Sequence, residues 1–384
     1  VTMKSSVSGG SVIAALYCTV EGDFEAFERE VSHHLRRGFF WPSIGTAVTT
    51  LEGIKAAFNF TALILDRTFA APIRLLLSSS RKLPADPESW PNSSAVRRKA
   101  SRTTILRRTF ESVFAGKCLG QLRSDRPKLF IVACELRAKA AFYFTSTVLH
   151  CWRYGSSPAS DLPVAHAVTA SAAYPLALPA LDERISFERR GVTSDVRVTL
   201  TDGGVYDNLG LAPFWQTREP SISLMGPDID RLIVCRAGYG IKVGEPASML
   251  LARMSAVFES IFARSENAGI ARLFDRSRTS REGSFIMPYL GQDDARLENP
   301  PDDLVSKQEA EGYPTNFSSM SDVWINRLAS RGEQLTMALL HEHWPELLEP
   351  GQLQHKDLSK KMGRSKPQNF GPLNSGPADE AQLR

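Results

Sequence analysis

Two hydrophobic periods run along the chain and mark it out into strands and helices. Val1 to Val7 is long enough for one short strand. From Ser11 onward, Val12, Ile13, Leu16 and Tyr17 share one helical face. Phe24, Phe27, Val31 and Leu35 recur at helical spacing, with Glu25, Glu28, Arg29 and Glu30 between them, which predicts an amphipathic helix. Residues 46–78 carry further helical pattern, interrupted near Pro72. Residues 79–96 hold Pro84, Pro87 and Pro91 among small polar residues and read as a loop. Helical pattern returns over 97–115.

Lys128 to Leu136 is a short apolar run of the length of a buried strand. Phe142 to Phe144 suggests a second, edge-like strand. His166 to Ala173, rich in Ala and Ser and followed by Pro175, predicts a short packed helix. Arg184 to Phe187 and Asp195 to Thr201 predict strands. In the latter, Val196, Val198 and Leu200 alternate with Arg197, Thr199 and Thr201, the two-residue period of a strand. Arg231 to Cys235 predicts another buried strand, 247–275 a long helix, and 321–344 one or two helices divided near Gly332. Beyond Pro350 the chain turns polar, and 350–384 reads as a disordered tail. Strands alternating with helices predict an α/β fold, a three-layer sandwich whose mainly parallel central sheet is flanked by helices.

The 384 residues are 42% hydrophobic and 23% charged, as in a soluble globular protein, and long enough to bury a sizeable core. A net charge of +4 is too mild to point to nucleic acid, though compatible with transient contact with an anionic membrane surface. Five scattered cysteines without a C-x-x-C pair argue against a disulfide framework and against zinc; no metal or other cofactor is expected. They suit a reducing compartment, the cytoplasm. The polar start of the sequence predicts no secretory signal, and the longest apolar candidate, Ala56 to Leu65, falls short of the roughly 20 residues of a membrane span.

The chemistry concentrates in two segments. Ser6-Val7-Ser8-Gly9-Gly10-Ser11 sits where a strand turns into a helix, the place of a nucleophile elbow. A serine held on so tight a turn needs small neighbours, here Ser6 and Gly10, and the helix after it turns the Gly9 amide and a positive dipole end toward an oxyanion. Alone, Ser-Gly-Gly is equally a flexible turn. The second segment is a strand ending at Asp202, followed by Gly203 and Gly204. A carboxylate at a strand end is rigidly held, and the glycines allow close approach. Alone, it is more often a plain Asp-Gly turn.

Together these segments resemble the patatin-like phospholipase family, which pairs a G-x-S-x-G serine with an Asp-Gly-Gly or Asp-Gly-Ala aspartate. Ala167 to Pro175, Gly203 to Gly210 and Tyr313 to Phe317 resemble family stretches in the same order, so the resemblance covers about residues 1–346. It implies a serine acyl hydrolase that cleaves fatty-acyl esters of lipids, with Ser8 as nucleophile, Asp202 as general base and an acyl-enzyme intermediate. It assigns 1–349 to the hydrolase domain, with 39–127 a helical insertion or cap. It also implies a Gly-rich oxyanion loop upstream of the serine. This sequence begins seven residues before Ser8, so the domain is expected to be incomplete there and this form weakly active. The rival expectation is a catalytically impaired scaffold that binds lipid or a protein partner.

A Ser-Asp-His triad closed by His341 or His343 is a third reading, weakened because both fall in a helical stretch. The basic residues Arg97, Arg98, Lys99, Arg102, Arg107 and Arg108 read first as a solvated face and second as a headgroup contact. Phe39, Phe40 and Trp41 read first as core and second as an interfacial anchor. Lipid class, acyl position and oligomeric state leave no trace in the sequence.

Overall fold

A computed structural model describes residues 1–65, 68, 100–215, 219, 222–226, 229–239, 249–279, 285–314 and 316–348. The expected tail at 350–384, and the expected loop at 79–96, lie outside the described residues.

The chain opens with β1 (Met3–Val7) and α1 (Gly9–Thr19), then α2 (Phe24–Arg37), α3 (Phe40–Thr49), α4 (Leu51–Leu65) and α5 (Arg102–Val113). Local chemistry sets the helix limits. Asp23 caps α2 by accepting from the Ala26 amide at 2.9 Å, and Gly38, at φ 65°, ends it. Ser101 and Thr104 form a reciprocal capping box at the start of α5. Strands β2 (Lys128–Glu135), β3 (Ala140–Phe144), β4 (Val148–Cys151) and β5 (Gly155–Pro158) follow, then α6 (Val164–Ser171), β6 (Leu181–Arg189), β7 (Val192–Asp202) and the single turn α7 (Gly204–Asp207). The remainder comprises β8 (Leu232–Ile233), α8 (Leu250–Thr279), β9 (Phe285–Ile286), α9 (Lys307–Ala310) and α10 (Asp322–His343).

The fold is mixed α/β, but the expectation of a mainly parallel sheet is wrong. In the seven-stranded sheet only β1 runs parallel to its neighbour β2; β2 to β7 pair antiparallel, and β7 returns to β2, so six strands close into a barrel-like ring. The reason is connection length. Segments 136–139, 145–147 and 152–154 are too short for the crossover of a dozen or more residues that parallel neighbours need. Strands β4 and β5, short and partly polar, have no counterpart in the sequence pattern. The strand at 140–144 is central and buried along its whole length, not an edge. Arg231 to Cys235 shrinks to the two-residue β8, paired with β9 in a separate small sheet, and Ile233 and Cys235 are exposed. Helix α10 runs unbroken through Gly332.

Both faces of the β1–β2–β3 region are buried. Leu129, Ile131 and Ala133 point toward α1, α5 and α6, packing with Leu16, Phe110 and Val168. Phe130 and Val132 point the other way, packing with Phe214, Ile270 and Leu273. Continuous burial explains why β2 reads as an apolar run rather than an alternating one. No helix among the described residues is long and apolar enough to cross a membrane.

Glu135, fully buried at the end of β2, ties that strand to β7. Its carboxylate accepts from the Thr199 amide at 2.8 Å, from the Tyr154 hydroxyl at 3.0 Å and from the Ala138 amide. Replacing Glu135 with Ala leaves these half-buried donors without their acceptor, at about 1 kcal/mol each, the lower end of the range for an unsatisfied group. The expected result is a denaturation midpoint lowered by on the order of 3 kcal/mol of stability or more; an unchanged midpoint in urea melts would refute this role.

Candidate active site

Strand β2 brings two distant segments together. On one side it pairs with β1 as far as Val7, opposite Val132. On the same side, one residue further on, it pairs with β7 starting from Asp202, opposite Ala133. β1 runs parallel to β2 and β7 runs antiparallel, so the two strands arrive tip to tip at the Val132–Ala133 peptide. Ser8 leaves one tip and Asp202 ends the other. Their side chains meet, the Ser8 hydroxyl donating to Asp202 Oδ2 at 2.6 Å.

The backbone of Ser8 is strained. Its φ is 52° and ψ −129°, a region that a residue with a Cβ rarely occupies. The strain is held by bonds on either side. The Ser8 carbonyl accepts the Ser11 amide at 2.9 Å, the first turn of α1, and the Ser8 amide donates to Ser171 Oγ at 3.0 Å. Ser171 Oγ donates in turn to the Val132 carbonyl at 2.6 Å and lies 2.8 Å from Ser11 Oγ. The backbone of the same residue reaches the other half of the site: its carbonyl accepts the Gly203 amide at 3.2 Å, while Ala173 accepts the Asp202 amide at 3.1 Å. The carbonyls at the end of α6, which a helix leaves without internal partners, thus hold the tip of β7.

Asp202 is 2% exposed. Burial pushes its carboxyl up to about 6, against the pull of the hydrogen bonds from Ser8 and from the Gly204 amide to Oδ1 at 2.8 Å. No histidine is among the hydrogen-bond partners of Ser8 or Asp202; His341 and His343 lie in the last turn of α10. Cysteine is a poor alternative nucleophile nearby, since burial pushes the Cys134 thiol up to about 12. Among the described residues no cluster of His, Cys, Asp or Glu has the geometry of a metal site.

The other predicted positions divide. Ser6 is buried and donates to the Phe130 carbonyl at 3.3 Å, so a small residue is needed there. A Cβ on Gly9 or Gly10 would touch nothing within 4 Å. Crowding between strand and helix therefore does not explain Gly10; both glycines instead leave the first turn of α1 uncovered. Gly203 is sterically required, because a Cβ would overlap the Val132 carbonyl. A Cβ on Gly204 would press on the Phe262 ring at 2.8 Å and Asn208 Oδ1 at 2.6 Å. Ser171 is not a site residue that the sequence singles out, although the Ala/Ser-rich stretch that holds it stands out there.

The family model for patatin-like phospholipase matches residues 1–215, more than half of the chain. The chain belongs to the patatin-like phospholipase family. Both segments that meet at the tip of β2 lie inside the match. The family as a whole points to a lipid acyl hydrolase, with hydrolase and lipid-metabolism roles. No curated protein matches the sequence.

In this patatin-like chain Ser171→Ala removes the acceptor of the Ser8 amide and the donor to Val132. We expect a loss of about 1–3 kcal/mol in unfolding free energy, measured by denaturant titration. Stability equal to that of the parent chain would show that this serine does not hold the turn.

Proposed function

We propose that the protein hydrolyses fatty-acyl esters of lipids through a Ser8–Asp202 dyad. The observation that carries this reading is the 2.6 Å hydrogen bond from the Ser8 hydroxyl to Asp202 Oδ2, formed on a strained strand-to-helix turn.

The steps follow from the geometry. Ser8 Oγ attacks the ester carbonyl carbon while its proton passes to Asp202 Oδ2. The tetrahedral oxyanion forms over the uncovered first turn of α1, where the Gly9 amide donates and the helix dipole favours negative charge. Collapse breaks the bond to the alcohol, which takes the proton from Asp202. Water then attacks the acyl-serine, giving its proton to Asp202, and the fatty acid leaves as Ser8 recovers its hydrogen. The proton affinity of the base suits this role, because an aspartate raised to about 6 is ionised at neutral pH yet more basic than an exposed one. Ser6 supports the elbow, and Gly203 and Gly204 seat the base.

A fluorophosphonate probe, which phosphonylates activated serines, should label the protein in proportion to active sites, and Ser8→Ala should abolish both labelling and ester hydrolysis. Labelling that survives Ser8→Ala, or none in the parent chain, would instead favour a scaffold that binds lipid without cleaving it.

Protonation of Asp202 gives a second test. The reaction needs the carboxylate, so kcat/KM should rise with pH through about 6 and then level. Stability runs the other way. The folded protein favours protonated Asp202, so between the unfolded value of 3.8 and the folded value of about 6 the native state binds the extra proton. Stability from this group is thus lost as pH rises across that window. Asp202→Asn should be inactive, and its stability advantage over the parent should grow across the window and stay constant above it. A pH-independent difference between the two would overturn the assignment of this titration.

A further inference from the structure

A groove of about 730 Å³ lies between α4, the start of α5 and the segment after α6. Its volume falls within the range of about 300–1,000 Å³ of small-molecule sites. The walls are mostly apolar: Ala56, Ala57, Phe60 and Ile64 from α4, Ile105 from α5, and Pro175. Such a lining offers a hydrocarbon chain contact along its length. Asn59, the amide in the wall, is already committed, donating to the Ala100 carbonyl at 3.1 Å.

Among the described residues that line the groove, one is charged. Arg102, the first residue of α5, is exposed and has no hydrogen-bond or ion-pair partner among the described residues. An apolar groove with one guanidinium, unpartnered among the described residues, complements an amphiphile with one chain and one negative charge. A carboxylate matches the guanidinium fork with two parallel hydrogen bonds. A phosphate monoester, with its second charge, would call for further donors.

The groove also runs close to the dyad. Pro175 is two residues from Ala173, about 8 Å along the chain, and Ala173 accepts the Asp202 amide at 3.1 Å. Phe58 on α4 and Phe40, Trp41 and Val48 on α3 are exposed.

We propose that this groove is a second lipid site that holds a long-chain fatty acid, the tail against α4 and α5 and the carboxylate on Arg102. The choice of a fatty acid rests on the acyl-hydrolase reading, because that reaction releases one.

Binding is best measured in the Ser8→Ala chain, which needs no turnover, so that failure of the groove and failure of the dyad are read out separately. Titration with the fluorescent fatty acid 11-(dansylamino)undecanoic acid should saturate at one site per chain, with palmitate displacing the probe and methyl palmitate displacing it less well. Ala57→Trp, which fills the groove from an exposed helix position, should weaken binding about tenfold or more, and Arg102→Glu about fivefold, the scale of an exposed ion pair. Lys55→Glu, an equal charge change on α4 outside the groove, should leave affinity unchanged. Circular dichroism melts check that each variant is folded. Absence of saturable binding would overturn the proposal. So would equal weakening by Lys55→Glu and Arg102→Glu, or indifference to Ala57→Trp. Tighter displacement by lysophosphatidate than by palmitate would overturn the fatty-acid assignment.

Discussion

The site depends on how two strand tips are held at one peptide of β2. β1 and β7 approach from opposite directions on the same side of that strand and end at adjacent rungs, Val132 and Ala133. Ser171 closes the junction. Its hydroxyl holds the Ser8 amide and the Val132 carbonyl, and its own carbonyl holds the Gly203 amide. One residue at the end of α6 thus fixes the serine turn, the strand between and the aspartate turn to one another. Such a junction tolerates little added volume, which is why Gly203 sits where a Cβ would strike the Val132 carbonyl.

This junction also sets the electrostatics. Asp202 is buried with two donors, Ser8 and the Gly204 amide, and they do not fully offset the cost of removing its charge from water. Its raised proton affinity and the positive φ of Ser8 are both unfavourable for folding. Neither serves packing. A site that costs stability in two separate ways at one hydrogen bond fits a functional constellation better than a structural one. By contrast Glu135, equally buried a few residues along β2, accepts three hydrogen bonds and has no exposed nucleophile beside it. It is a strut.

Much of this was legible in the sequence because it is local. The strand–Ser–Gly–Gly–helix pattern and the strand ending at Asp202 follow from period and turn chemistry. The strand order does not, because it depends on which distant segments pair. Yet a clue was present: with only three or four residues between successive strands from 136 to 154, the chain can only turn back on itself. β4 and β5 were hidden by their brevity and by Ser, His and Pro at positions where apolar residues mark a strand. Ser171 was hidden differently. Its role comes from the last turn of a small-residue helix lying against two strand tips, and no residue next to it in sequence announces that. Gly10 shows the opposite error: the elbow pattern demands a small residue there, but the space around it is open.

The second half of the chain bears on the site as well, although the family match ends at residue 215. Phe262 of α8 packs against Gly204 and stacks on Tyr174 with ring centroids 5.8 Å apart. Ser265 and Glu266 of the same helix bond the backbone and side chain of Asn208 at 3.2 and 2.9 Å. Helix α8 therefore braces both the turn after Asp202 and the segment after α6, the two backbones that seat Asp202. Elsewhere in this half, Arg331 of α10, fully buried, donates to the carbonyls of Leu290, Gln292 and Val305 and to Asp294, gathering the loops on which α10 rests. Strand tips alone could bring a hydroxyl and a carboxylate together. Keeping them within 2.6 Å against the strain at Ser8 and the buried charge at Asp202 requires support from behind, and in this chain α8 supplies part of it.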